Sequence, residues 1–85
     1  MKLKSTPTFD KNYQSLPMMI QKRTDEKLQL LLSNPQHPSL QIKKMKGVGE
    51  IWEGRVTTSY RFTFQIEGDT YILRKVGTHE ILKKP

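Results

Sequence analysis

The 85-residue sequence contains no cysteine. It therefore has no disulfide framework and no cysteine-based zinc site, and we expect it to work in a reducing cytoplasm. No apolar run resembles a signal peptide or is long enough to cross a bilayer, so we expect no membrane partner. Histidine is also scarce: His37 and His79 are widely spaced, and they predict neither a metal site nor another cofactor.

Acidic residues are scarce relative to basic ones. Eight Asp and Glu stand against 15 Lys and Arg, which gives a net charge of +7. Such an excess favours polyanionic partners, either nucleic acid or an acidic protein. The length predicts a single domain over residues 1 to 85.

The N-terminal half predicts a short strand and two helices. Residues 2 to 6 read as the strand, and Thr6-Pro7 is a typical helix start, with Thr as the cap. A proline at position 17 interrupts the helical periodicity and predicts one helix over 8 to 15 and a second over 17 to 33. Apolar spacing predicts the core-facing side: Phe9, Tyr13, Leu16, Ile20, Thr24, Leu28 and Leu31.

The C-terminal half predicts an antiparallel sheet. Residues 51 to 57, 60 to 67 and 70 to 76 are rich in aromatic and β-branched residues and are separated by turn residues. Residues 60 to 67 alternate between apolar and polar, which is typical of a strand with one buried face. The sequence thus predicts an α+β fold.

The first hairpin loop sets the register of two strands. A three-residue loop at 57 to 59 pairs Arg55 with Arg61 on the exposed face, whereas a two-residue loop would bury Arg55 against Phe62. We therefore predict the three-residue loop, which also pairs Trp52 with Phe64 in the core.

The second turn predicts a cluster of three arginines. Gly68-Asp69, as a two-residue turn, places Arg74 opposite Thr63 on the face that carries Arg55 and Arg61. In this register Val76 lies near Arg61, and His79 emerges at that end of the cluster. The alternative is an ordinary solvated face with its arginines paired to Glu53 or Glu67.

Arginine binds phosphate through planar, bidentate contacts, so this cluster predicts a phosphate-binding surface. Lys43, Lys44 and Lys46 lie just upstream, and we predict that they bind RNA. Cleavage of RNA by its 2′-hydroxyl needs a base, a positive charge on the phosphate and an acid on the leaving oxygen. Arg55, Arg61 or Arg74 can supply the charge, and His79 can act as the base or the acid.

Two strings carry a family resemblance: "HPSLQIKKMKG" and "IWEGRVTTSYRFTFQIEGDTYILRKVGTHEIL". They resemble the RelE/ParE superfamily of bacterial toxins, most specifically in "YRFTF" and "VGTHE". The resemblance implies a RelE-like fold in the order β-α-α-β-β-β, with an antiparallel sheet of about four strands and two N-terminal helices on one face. Arg61 matches a phosphate-stabilising arginine of RelE-like nucleases, and His79 matches a catalytic histidine of the YafQ-like branch. Trp52 and Gly54 stand where RelE carries catalytic lysines.

The resemblance implies a toxin of a type II toxin–antitoxin system that cleaves messenger RNA in the ribosomal A site, next to ribosomal RNA, and so inhibits translation. It also implies an acidic cognate antitoxin, which the charge of +7 favours independently. Two alternatives stay open: a ParE-like inhibitor of DNA gyrase without nuclease chemistry, and an inactive RNA-binding module.

Overall fold

A computed structural model describes residues 1 to 85, and its elements follow the predicted order. The two helices are α1 (Pro7–Gln14) and α2 (Met18–Ser33). The five strands are β1 (Lys2–Ser5), β2 (Lys43–Lys44), β3 (Trp52–Arg55), β4 (Tyr60–Glu67) and β5 (Thr70–Thr78). Two short 3-10 helices complete the chain, Pro38–Leu40 after α2 and His79–Lys83 after β5.

The strands form one sheet in the order β1-β5-β4-β3-β2. β1 runs parallel to β5, and every other neighbouring pair is antiparallel. Side chains from both helices and from the sheet share one core, so the helices cover one face, as predicted. The nine buried residues of this core are Phe9, Leu31, Leu40, Val56, Phe62, Phe64, Tyr71, Leu73 and Val76.

As predicted, Thr6 caps the first helix and Pro17 separates the two helices. Thr6 caps α1, because its side-chain oxygen accepts a hydrogen bond from the N–H of Phe9 (3.2 Å). Pro17 immediately precedes α2. The hydroxyl of Tyr13 then donates to Asp25 Oδ1 (2.7 Å) and ties α1 to α2. This hydrogen bond, more than burial, raises the pKa of Tyr13 above its ordinary value.

The predicted register between β3 and β4 is confirmed. Trp52 pairs with Phe64 and Arg55 with Arg61. The loop at 57 to 59 is held by Thr57, whose hydroxyl oxygen accepts from the N–H groups of Ser59 and Tyr60 (3.2 Å each). A short polar side chain that bonds the backbone two residues on is the usual stabiliser of such loops.

The prediction that Arg74 lies opposite Thr63 is wrong. β5 contains a bulge at this point, so Thr63 pairs with Lys75 instead. Every pair beyond the bulge shifts by one residue: Val76 faces Phe62 in the core, and Gly77, not Val76, lies beside Arg61. β5 contains a bulge because a regular register would place the apolar side chain of Val76 on the exposed face.

The N-terminal segment holds the bulge in place. The Thr6 hydroxyl donates to the carbonyl oxygen of Leu73 (2.9 Å), and the N–H of Val76 donates to Asn12 Oδ1 on α1 (3.3 Å). The backbone groups around the extra residue therefore keep hydrogen-bond partners despite the irregular ladder.

No helix in the structure is both long enough and apolar enough to span a membrane.

Gly54 marks the closest approach of β3 to the core. A Cβ atom at this position would lie 2.4 Å from the ring of Phe62 and 2.8 Å from Cδ1 of Ile42. We expect Gly54→Ala to lower the free energy of unfolding by about 1–3 kcal/mol through overpacking, measured by urea denaturation. Phe62→Leu removes the clashing ring atoms, so Gly54→Ala should cost less in a Phe62→Leu background. Equal costs in the two backgrounds would contradict this origin.

Candidate nucleic-acid site at the end of the β3–β4 hairpin

Arg61 is fixed against the loop that connects β3 to β4. Its Nη1 atom donates to three backbone carbonyls, those of Thr57, Thr58 (3.0 Å) and Tyr60 (2.9 Å). The Nε and Nη2 groups make no hydrogen bond within the chain and remain available. One edge of the guanidinium is therefore used to position the side chain, and the other can meet an anion.

His79 reaches the same loop from the end of β5. Its Nε2 atom lies 3.2 Å from the carbonyl oxygen of Thr58, the oxygen that also accepts from Arg61. A carbonyl oxygen only accepts, so this hydrogen bond requires the proton on Nε2. The other ring nitrogen, Nδ1, makes no hydrogen bond within the chain. We call Arg61, Thr58 and His79 the hairpin site.

The turn after β5 brings His79 to this position. A 3-10 helix starts at His79, and the side-chain oxygen of Thr78 accepts from the N–H of Glu80 at its start (3.4 Å). The helix folds back over the sheet, where Ile81 packs on Gly77: a Cβ atom on Gly77 would lie 2.9 Å from Ile81 Cγ2. Because Gly77 has no side chain, the 3-10 helix after β5 can occupy the space next to it, beside Arg61.

The exposed side of His79 faces a shallow hollow of about 290 Å³. Polar side chains line it: Thr58, Ser59, Thr78, His79 and Glu80. The carboxylate of Glu80 is paired with Lys83 (2.9 Å). His79 is therefore open to solvent on the side away from Thr58.

Arg55 lies beside Arg61 and continues the basic surface along β3. Both line a polar cleft of about 330 Å³, in which Lys43 and Glu53 also take part. Glu53 is almost completely buried, and its Oε1 atom pairs with Lys43 Nζ (3.1 Å). The second oxygen, Oε2, and the Nε group of Arg55 are both buried without a hydrogen-bond partner. The polar cleft thus holds one anion among three cations.

The proximity of the two arginines has an electrostatic consequence. Burial lowers the pKa of Arg61 below its ordinary value, and the positive charge of Arg55 lowers it further. Glu53 acts in the opposite direction. The repulsion between the two arginines means that a bound anion would relieve unfavourable positive potential at this place.

Arg74 lines neither the polar cleft nor the hollow that contains His79. The bulge directs its side chain to Gln65 Oε1 (2.7 Å) and to the carbonyl oxygen of Pro85 (3.1 Å). Gln65 is four residues from Arg61 along β4, a separation of roughly 13 Å in a strand. Pro85 is buried and also accepts from Thr63 (3.2 Å), so the C-terminal segment covers the face between the two ends of β4.

The three lysines predicted to bind RNA separate in the structure. Lys43 lines the polar cleft with Arg55 and Arg61. Lys44 pairs with Glu50 (3.1 Å), and Lys46 is exposed without an ion pair, and neither lines the cleft. The alternative in which arginines pair with Glu53 or Glu67 does not hold, because neither carboxylate lies within ion-pair distance of an arginine.

Sequence reasoning missed two residues of this region. Glu53 was considered only as a surface partner for arginine, and its burial depends on β2, which the pattern did not define. Gln41 lines the polar cleft and is the one non-glycine residue with a left-handed backbone (φ 44°). Neither has a sequence signal, since both follow from how the segment before β3 folds.

His37 caps the 3-10 helix at Pro38–Leu40 by accepting from the N–H of Ser39 (3.1 Å).

The chain is similar to known proteins in its structure. No family model matches the sequence, and no curated protein matches it in sequence. The chain is 28% identical to a chain of the RelB–RelE antitoxin–toxin complex from Methanococcus jannaschii, with a TM-score of 0.75 and 94% of each chain covered.

Two further structures share the fold at lower identity. One is a YoeB/ParE toxin from Agrobacterium tumefaciens (19% identity, TM-score 0.78, 93% of this chain and 99% of that chain). The other is YafQ from E. coli strain BL21(DE3) (13% identity, TM-score 0.75, 95% of this chain and 96% of that chain). The chain is therefore similar in fold to the RelE, YoeB/ParE and YafQ toxins, which is the fold that its motifs predicted.

Proposed function

We propose that this protein is the toxin of a type II toxin–antitoxin system and an endoribonuclease that cleaves messenger RNA in the ribosomal A site. The observation that carries the proposal is the meeting of Arg61 and His79 at the carbonyl oxygen of Thr58. A fixed positive charge and an imidazole that can accept or donate a proton are two of the three requirements for RNA cleavage by its own 2′-hydroxyl.

In the proposed reaction the 2′-oxygen bonds to phosphorus and the bond to the 5′-oxygen breaks. The products are a 2′,3′-cyclic phosphate and a 5′-hydroxyl end, one proton having left the 2′-oxygen and one having been delivered to the 5′-oxygen. The free edge of Arg61 binds the phosphate oxygens, where negative charge grows in the transition state. His79 carries one of the two protons on Nδ1, because Nε2 is held by Thr58.

Arg55 supports the same phosphate from the polar cleft. Its position beside Arg61 in the same cleft supports a role as a second cation for the RNA strand. Lys43 lies at the far side of the cleft and is held there by Glu53. We assign to Arg55 and Lys43 the binding of backbone phosphates rather than proton transfer, because charged hydrogen bonds to phosphate are the usual role of arginine and lysine side chains.

The direct test maps 5′ ends of messenger RNA in bacterial cells after induction of the protein. The wild type should give cuts in phase with codons, with 5′-hydroxyl ends. His79→Ala and Arg61→Ala should abolish them, and with purified ribosomes His79→Ala should reduce the cleavage rate by about 10²- to 10⁴-fold.

Two control substitutions use the same residue types elsewhere. His37→Ala removes the other histidine, and Arg74→Gln removes an arginine that is engaged with Gln65 and Pro85. Both variants should keep the cuts. Unchanged cleavage in His79→Ala would refute the role of His79, and growth arrest without any cuts would move the function to another target such as DNA gyrase.

We also propose an acidic cognate antitoxin that covers the hairpin site. The neighbouring structures include a RelB–RelE complex and a DinJ–YafQ complex, both of toxin with antitoxin. In this chain the positive charges of Arg55 and Arg61 have no partner within ion-pair distance. A carboxylate-rich segment would satisfy both and would exclude RNA.

Association with the proposed acidic antitoxin should depend on salt. Electrostatic steering predicts that the association rate constant falls steeply as the salt concentration rises, while the dissociation rate constant changes less. Stopped-flow mixing measures both constants. Arg61→Gln should slow association, and the matched Arg74→Gln variant should not. A salt-independent rate, or equal effects of the two variants, would contradict the proposed docking position.

A further inference from the structure

A second basic groove adjoins the hairpin site on the side of α2. It has a volume of about 410 Å³ and lies between α2, the 3-10 helix at Pro38–Leu40 and the β3–β4 loop. Three cations line it, Arg23 and Lys27 from α2 and Arg55 from β3, and no carboxylate does. None of the three cations makes a salt bridge. We call this surface the Arg23–Lys27 groove.

The Arg23–Lys27 groove is continuous with the regions already described. It shares Thr58 with the hollow that contains His79, and it shares Arg55 and Gln41 with the polar cleft. A polymer bound at His79 can therefore pass into the groove without leaving the protein surface.

The side chains that line the Arg23–Lys27 groove indicate what kind of ligand it can bind. Val56 is its one apolar residue, and the neutral remainder carries hydroxyl or amide groups from Ser39, Gln41, Thr57 and Thr58. Such a surface offers little to an apolar peptide. Unpaired cations at the walls and polar groups between them suit a chain of phosphates with ribose hydroxyls.

We propose that the Arg23–Lys27 groove binds the phosphate backbone of the RNA strand that flanks the scissile phosphate. The proposal rests on the proposed function, because the occupant is the same RNA strand that enters the hairpin site. Arg23 and Lys27 each neutralise one phosphate of the flanking nucleotides, and Arg55 is shared between the groove and the polar cleft.

The test measures RNA affinity by fluorescence anisotropy, in chains that all carry His79→Ala so that no RNA is cut. One probe is a single-stranded RNA of roughly 12 nucleotides, and the other has about four, the range over which single-strand sites vary. Arg23→Gln with Lys27→Gln should weaken binding of the long RNA and leave the short one unchanged. The slope of log K against log salt should fall by about 1.4, or about 0.7 for each lost phosphate contact.

A matched control removes the same two charges elsewhere. Lys11 and Lys22 are exposed on α1 and α2 and do not line the groove. Lys11→Gln with Lys22→Gln should therefore leave the slope and the affinity for the long RNA close to those of the parent chain. All four substitutions are at helix surfaces, and circular dichroism and Tm verify that the variants fold alike.

The outcomes separate this inference from the nuclease proposal. If the two pairs of substitutions have equal effects on the long RNA, the groove is not an RNA site. If Arg23→Gln with Lys27→Gln weakens binding of the acidic antitoxin and not of RNA, the groove is a protein-docking surface and the inference is wrong. If that pair weakens RNA binding selectively but the wild-type chain makes no cuts, RNA binding by the groove stands, while the nuclease proposal falls and with it the placement next to a scissile phosphate.

Discussion

The irregular pairing of β5 with β4 is the constraint on which the site depends. The bulge at Arg74 lets β5 bury Leu73 before it and Val76 after it, which a regular strand cannot do on one face. It also places Gly77 beside Arg61, where the absence of a side chain admits Ile81 from the returning chain. His79 reaches the Thr58 carbonyl because of that return. The same bulge therefore determines both the packing of the core and the position of His79, the proposed proton-transfer group.

The second feature of the site is a pair of neighbouring positive charges, whose mutual repulsion destabilises the sheet. Arg55 and Arg61 face each other across two strands, an arrangement that destabilises a sheet. Backbone carbonyls of the β3–β4 loop hold Arg61, and the buried carboxylate of Glu53 offsets part of the charge. Positive charge that is fixed before the ligand arrives needs no reorganisation when a phosphate binds, which is the physical basis of the catalytic role that we propose for it.

Local patterns predicted the elements, while the details of the site came from long-range packing. The capping residue Thr6, the loop at 57 to 59 and the facing of Arg55 and Arg61 could all be read from the sequence. The bulge could not be placed by turn length, although an apolar Val76 on the exposed face was a sign of it. The buried Glu53 and the Arg23–Lys27 groove depend on how distant segments meet, which periodicity does not encode.

The link from Gly77 to His79 can be measured directly by NMR of the histidine ring signals. Gly77→Ala would place a Cβ atom 2.9 Å from Ile81 Cγ2, so the 3-10 helix must shift. The account predicts that the ring signals of His79 move in this variant and return towards the wild-type positions when Ile81→Ala is added. The signals of His37 should stay fixed throughout and serve as the reference. His79 signals that do not move in Gly77→Ala, or that move and are not restored by Ile81→Ala, would contradict the account.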